Sequence, residues 1–123
     1  MSQQFDTNAL NQIARIDEIE IETYSGTGQT HRTIIWVVVD DHKVYVRSFR
    51  GEKGRWYQEI LANPSGAIHM DGQYLPVHTI PVSDEETITR VSNEILRKYR
   101  NSNSARSMVR KEVLPTTLRL EPA

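Results

Sequence analysis

The 123-residue sequence contains no cysteine. That removes disulfides, thiol nucleophiles and cysteine metal ligands together, and it fits a cytoplasmic protein. Long apolar runs are also missing. The longest is Ile34 to Val39, six residues, where a membrane-spanning helix needs about 20. The opening Met-Ser-Gln-Gln-Phe-Asp lacks a basic segment followed by an apolar stretch, so no secretory signal is expected. Neither sign of charge dominates: the formal net charge is −1, which predicts no general affinity for nucleic acid or anionic membranes. There is no internal repeat. The length is that of one domain, expected to span residues 1–123.

Several active sites are missing too. Arg50-Gly51-Glu52-Lys53-Gly54-Arg55 has no lysine followed by Ser or Thr, so it is not a Walker loop. Gly26-Thr27-Gly28 has neither a third glycine in register nor a strand–helix setting, so it reads as a turn. No Gly-x-Ser-x-Gly elbow exists. The histidines 31, 42, 69 and 78 lack ligand spacing. If Asp71-Gly72 turns a hairpin, His69 pairs with Tyr74, and His78 lies roughly 13 Å further at about 3.3 Å per residue. Imidazole–metal bonds are about 2 Å, so no metal site is expected.

What is present reads as a mixed fold. Asp6 caps a helix from Thr7 to about Arg15, with Phe5 and Leu10 as a staple and Leu10, Ile13 and Ala14 as the buried stripe. Glu18 to Thr23 alternates strictly, a half-exposed strand with its glutamates in water. Ser25-Gly26-Thr27-Gly28 turns the chain. His31 to Asp40 is β-branched enough for one central strand buried on both faces, hairpinned to Lys43 to Phe49. A short helix, Trp56 to Ala62, stops at Asn63-Pro64. Ala67 to Met70, the type I′ turn Asp71-Gly72 and Gln73 to Val82 form a second hairpin. Its return arm is expected at an edge or with a bulge, because Pro76 and Pro81 cannot donate to a ladder.

Ser83 and Glu86 read as a capping box before a long helix with core face Ile88, Val91, Ile95 and Tyr99, widened by Leu96. Arg97, Lys98 and Arg100 suit the helix dipole in its last turn. A short helix from Ala105 to Val113 and a closing strand, Thr117 to Leu120, complete the chain. About six strands with helices between hairpins make an α+β domain, a small antiparallel barrel.

The charges are uneven. From His42 to Tyr57 five bases (Lys43, Arg47, Arg50, Lys53, Arg55) face one acid, Glu52, while residues 17–22 carry four acids. Thr30 to Pro64 therefore joins a central strand, Arg47-Ser48, a glycine-spaced basic loop and Trp56-Tyr57. Guanidinium forks and close backbone N–H groups suit an oxyanion, and an indole suits a flat ring. Together they fit a planar cofactor with a phosphate tail. The same residues fit a plainer arrangement, in which Trp56 and Tyr57 plug one barrel end and the arginines stay in water. The residues alone leave both open.

Three segments carry a resemblance: Ser25 to Thr33, Tyr45 to Gly51, and Arg55-Trp56-Tyr57-Gln58-Glu59-Ile60-Leu61-Ala62-Asn63-Pro64. They are similar to the deazaflavin-dependent nitroreductase family over roughly residues 19–82, the Trp-Tyr run to Asn-Pro being the most specific part. The whole chain, with its Thr-Leu-Arg-Leu-Glu-Pro ending, also resembles an uncharacterised bacterial family near those proteins. The resemblance implies a split β-barrel related to pyridoxamine-phosphate oxidase, usually a homodimer binding FMN or a deazaflavin at the subunit junction. By position, Arg32, Arg47, Ser48 and Arg50 would line the cofactor cleft, and Lys53, Arg55 and Trp56 would flank its phosphate or ring. No catalytic acid or base is implied. The chain departs from the pattern at Thr27 and Gln29, where basic residues are usual, at Arg50, which replaces a glycine, and at Ile35-Trp36, which stands where Pro-Leu is preferred. The implied activity is hydride transfer to a small organic acceptor. The alternative is a non-catalytic ligand-binding or dimeric module on the same fold.

Overall fold

The structure, a computed structural model, describes residues 4–123; the first three, part of the stretch read for a secretion signal, lie outside it. Helix α1 is Thr7–Arg15, and the Asp6 carboxylate accepts from the Ala9 N–H at 2.8 Å, satisfying a donor that the first turn cannot. Phe5 and Leu10 close the staple inside the core. The buried stripe is narrower than expected: Leu10 and Ile13 are buried and Ala14 is exposed.

Seven antiparallel strands follow, not six. They are β1 (Glu18–Tyr24), β2 (Thr30–Trp36), β3 (Val38–Asp40), β4 (Lys43–Val46), β5 (Ser65–Met70), β6 (Gln73–Pro81) and β7 (Leu118–Pro122). Their order in the sheet is β2-β1-β5-β6-β7-β4-β3. Helix α2 (Arg55–Ala62) precedes β5, and α3 (Glu85–Lys98) follows β6. Among the described residues no helix is long and apolar enough to cross a membrane.

The order contains the main correction. The expected central strand from His31 to Asp40 is two strands, β2 and β3, consecutive in the chain yet at opposite ends of the sheet. The sheet curls far enough for the chain to step from one end to the other at Val37, with no ladder between β2 and β3 across this seam. That residue leaves the ladder because other partners take its backbone: its N–H donates to the Tyr99 hydroxyl at 3.1 Å, and its carbonyl accepts from Lys98 Nζ at 2.7 Å. Burial on both faces holds only near the step. Ile35 and Val37 enter the barrel interior, Val38 packs outward under α3, and Ile34 is 63% exposed.

Two cores result. The barrel interior takes Ile19, Ile21, Val44, Val46, Ile68, Val77 and Leu120. A second cluster, Val38, Tyr45, Val91, Ile95, Tyr99 and Met108, lies between the outer face of β3–β4 and α3. The alternation expected from Lys43 onward therefore holds, with Val44 and Val46 inward and Tyr45 outward. The strand ends at Val46, three residues early, because Arg47 and Ser48 bond to side chains and loop carbonyls instead of a neighbouring strand.

The β5–β6 hairpin has the expected register, Met70 opposite Gln73 and His69 opposite Tyr74, with Asp71 and Gly72 at φ 47° and 74° as a type I′ turn requires. Strand β6 is interior rather than an edge. Its prolines are tolerated because each lies where a neighbour runs out: Pro76 beyond the last β7 pair and Pro81 beyond the start of β5.

The α3 cap also differs. Asp84, not Ser83, caps the helix, accepting from the Thr87 N–H at 3.0 Å. Leu96 faces solvent. Lys98 turns away from the helix end into the seam. The helix expected from Ala105 to Val113 is only a 3-10 turn, Ala105–Val109, and a second such turn, Leu114–Thr116, precedes β7.

Candidate functional site

A cleft of about 680 Å³ opens where the end of β2 meets the segment after β4 and the start of α2. It collects Arg47, Ser48, Arg50, Arg55 and Trp56, five of the residues expected there. They meet because β4 ends at Val46 and a tight 3-10 turn, Gly51–Lys53, folds the chain straight into α2.

Each of the five has a different status. Arg47 is 1% exposed, and four of its five guanidinium N–H groups are engaged. Nε donates to Thr117 Oγ1 at 2.9 Å, Nη1 to Ser92 Oγ at 2.9 Å and the Met108 carbonyl at 3.0 Å, and Nη2 to the Ile88 carbonyl at 2.8 Å. Among the described residues no carboxylate pairs with it, and burial pushes its pKa down to about 10. Arg47 thus forms the rear wall, tying the end of β4 to α3 and to the turns before β7, and keeps one Nη2 N–H to offer a ligand. Arg50 and Arg55 are exposed at the cleft. Trp56 is only 6% exposed and packs into the barrel core with Tyr57, the plug that the plainer arrangement describes.

Ser48 is the most informative. It is 1% exposed, its N–H donates to Thr116 Oγ1 at 3.0 Å, and its hydroxyl is buried with no partner. A buried hydroxyl without a hydrogen bond is costly, and native structures rarely leave one. Beside it, Gly54 caps α2 without a side chain, so nothing from the cap residue covers the N–H groups of the first turn. A Cβ on Gly54 would overlap Ser48 Oγ. Gly54→Ala is therefore expected to lower stability by about 1–2 kcal/mol. Adding Ser48→Ala should recover most of that loss in urea melts, whereas additive losses would mean that the two sites do not touch.

Two expected residues lie elsewhere. Arg32 is on the outer face of the sheet, 3.8 Å from Glu22 Oε1, bordering a separate depression with His69. Lys53 is exposed in the 3-10 turn and does not border the cleft. Three residues the sequence reading passed over do border it: Thr33, whose hydroxyl is also buried without a partner, Trp36 and Met108. Trp36 left one signal in the sequence, as a departure from the nitroreductase pattern.

The ionised histidine partners lie outside the cleft. Glu22, expected in water, is instead buried against Tyr24 at 2.7 Å and His69 Nε2 at 2.9 Å. The Tyr24 hydrogen bond, aided by His69 and Arg32, holds its carboxyl below the ordinary value against the effect of burial. The same bond, with burial, pushes Tyr24 up to about 12. Glu59 meets Thr23 Oγ1 at 2.7 Å and His31 Nδ1 at 2.8 Å. Burial alone would raise the Glu59 carboxyl, but these bonds outweigh it and hold it low. Both networks are internally satisfied, and neither gathers a metal-binding set among the described residues.

Residues 9–120 match the bacterial family DUF2255, described as uncharacterized protein conserved in bacteria. The chain belongs to that family. A search of curated proteins matches none. Among solved structures, the DUF2255 chain is similar to HutZ, the heme storage protein from Vibrio cholerae, at TM-score 0.71 and 11% identity over 98% of this chain and 92% of that one. It is similar to an F420-H2 dependent reductase, FDR-A, at TM-score 0.67 and 16% identity over 85% and 94%. A putative 5-nitroimidazole antibiotic resistance protein from Bacteroides thetaiotaomicron gives TM-score 0.68 and 14% identity over 95% and 80%. At these identities the likeness establishes the fold alone, an α+β split barrel.

Proposed function

We propose that the cleft binds a flat cofactor with a phosphate tail, FMN or a deazaflavin, and that the DUF2255 chain uses it to transfer hydride to a small organic acceptor. The observation that carries this reading is the buried, partnerless Ser48 hydroxyl beside the bare N-terminus of α2. A helix N-terminus attracts phosphate, and Arg50 and Arg55 add exposed positive charge to a cleft that Arg47 and Glu18 also border. Arg47 supports the site from behind. Arg32 and Lys53 stand outside it. When bound, the cofactor supplies the hydride chemistry. The protein binds it, orients it and excludes water.

Heme fits the cleft less well, because none of the four histidines borders it. A homodimer belongs to the same reading. Strand β2 has one neighbour, and Ile34 beside the cleft is 63% exposed, so a second copy there would wall the site.

The test is a titration of the purified protein with FMN, with a 5-deazaflavin phosphate and with hemin, followed by absorbance. One of the first two is expected to bind. Arg55→Ala should weaken that affinity about tenfold, the scale of a hydrogen bond to a charged group. Retention of neither, or of hemin alone, would end the reading. Binding without turnover of nitro, quinone or enone acceptors would leave the ligand-binding module as the function.

A further inference from the structure

Trp36 ends β2 and borders the cleft. Its indole is stacked on the Tyr99 ring, with centroids 3.9 Å apart and planes 5° from parallel. Tyr99 cannot move aside. It is buried, and its hydroxyl accepts from the Val37 N–H at 3.1 Å and donates to the Asp17 carbonyl at 2.7 Å. One face of the indole is therefore taken up by a fixed ring, and the same residue borders the cleft. Trp56, the indole the sequence offered for this purpose, is packed into the barrel core.

We infer that Trp36, backed by Tyr99, is the surface on which the flat ring of the cleft's ligand rests, and that it selects an aromatic polycycle over any other phosphorylated molecule. The inference rests on the cofactor reading above and specifies which group reads the ring. An aromatic face clamped before binding stacks with little loss of conformational freedom, so its contribution goes into affinity. The anionic end of the ligand would be held by the Ser48 and α2 region regardless of what the ring is. Recognition divides accordingly: the tail is held by charge and backbone, the ring by Trp36.

The experiment compares the wild-type chain with Trp36→Leu, Trp36→Phe and Trp56→Phe, using FMN and ribose 5-phosphate as probes. Trp36→Leu should weaken FMN binding about tenfold, the scale of one lost stacking contact, and leave ribose 5-phosphate within about twofold. Trp36→Phe keeps a flat ring against Tyr99 and should retain FMN within about threefold. Emission of bound FMN should be quenched in the wild type and in Trp56→Phe, and recovered in Trp36→Leu. If Trp36→Leu does not fold, the rate of Trp36 oxidation by N-bromosuccinimide in Trp56→Phe is read by mass spectrometry. FMN should slow it, and an unchanged rate overturns the inference. Equal FMN affinity and emission in wild type and Trp36→Leu also overturn it while leaving the cofactor reading intact. A wild-type chain that binds neither FMN nor a 5-deazaflavin phosphate removes both.

Discussion

Arg47→Ala is expected to destabilise the protein by about 4 kcal/mol, read as a fall in the urea midpoint at unchanged slope. The guanidinium sits where solvent cannot reach it and donates four hydrogen bonds to two carbonyls and two hydroxyls. Truncation leaves the Met108 and Ile88 carbonyls buried without these donors and opens a cavity, and each lost charged hydrogen bond is worth about 1.5–3 kcal/mol. Part of this is offset by relief of the burial that depresses the guanidinium. A typical domain has only about 5–15 kcal/mol in total, so the variant should be close to marginal. Arg47→Lys keeps the charge but not the planar fork, and its three donors cannot reach all four acceptors. It should recover less than half of the loss. If Arg47 instead served mainly as a ligand contact, both variants would melt like the wild type and lose only cofactor affinity.

The cleft was readable from sequence to the extent that it is local. Ser48, Arg50, Arg55 and Trp56 come from one continuous segment, so a basic, glycine-spaced loop running into a short helix was enough to place them together. The β5–β6 hairpin and the α1 cap were readable for the same reason, since turn and cap chemistry acts over two to four residues. What lay beyond reach depends on partners far along the chain. The break at Val37 is made by Lys98 and Tyr99, and the fate of Arg47 by Ile88, Ser92, Met108 and Thr117. A run such as Ile34 to Val39 reports apolar character, not which backbone group another element will capture. Arginine is equally ambiguous: the fork that suits a phosphate also suits two carbonyls and two hydroxyls. Glu22 was misplaced for the converse reason, because strict alternation put it in water while Tyr24, Arg32 and His69 gather over it.

The seam at Val37 gives the second large effect. Tyr99→Phe should cost about 3 kcal/mol, since it orphans the buried Val37 N–H and the Asp17 carbonyl together. It keeps the ring, so the stack on Trp36 survives and any loss of stability is separate from loss of ligand stacking. The same seam should give stability an alkaline maximum. Burial lowers Lys98 from 10.5 to about 8, with Arg97 lowering it further and Asp17 and Glu94 opposing. Below pH 8 both the folded and unfolded chains hold this proton, and the penalty of burying the charge is constant. Between pH 8 and 10.5 the unfolded chain binds more protons than the folded one, so stability rises with pH.

For Tyr99 burial acts in the opposite sense, raising the phenol from 10.0 to about 12. Above pH 10 the folded chain keeps a proton that the unfolded chain loses, and stability falls. Tyr24, Tyr45 and Tyr57 are raised as well and steepen that fall, while Arg47, lowered by burial to about 10, opposes it. The rise is therefore the distinctive limb. After discounting for the solvent that still reaches the amine, it should amount to about 1–2 kcal/mol between pH 7.5 and 10. Urea melts of Lys98→Met over that range should be flat. A variant that keeps the wild-type rise would assign the titration to another group and leave Lys98 only its hydrogen bonds to the Ile13 and Val37 carbonyls.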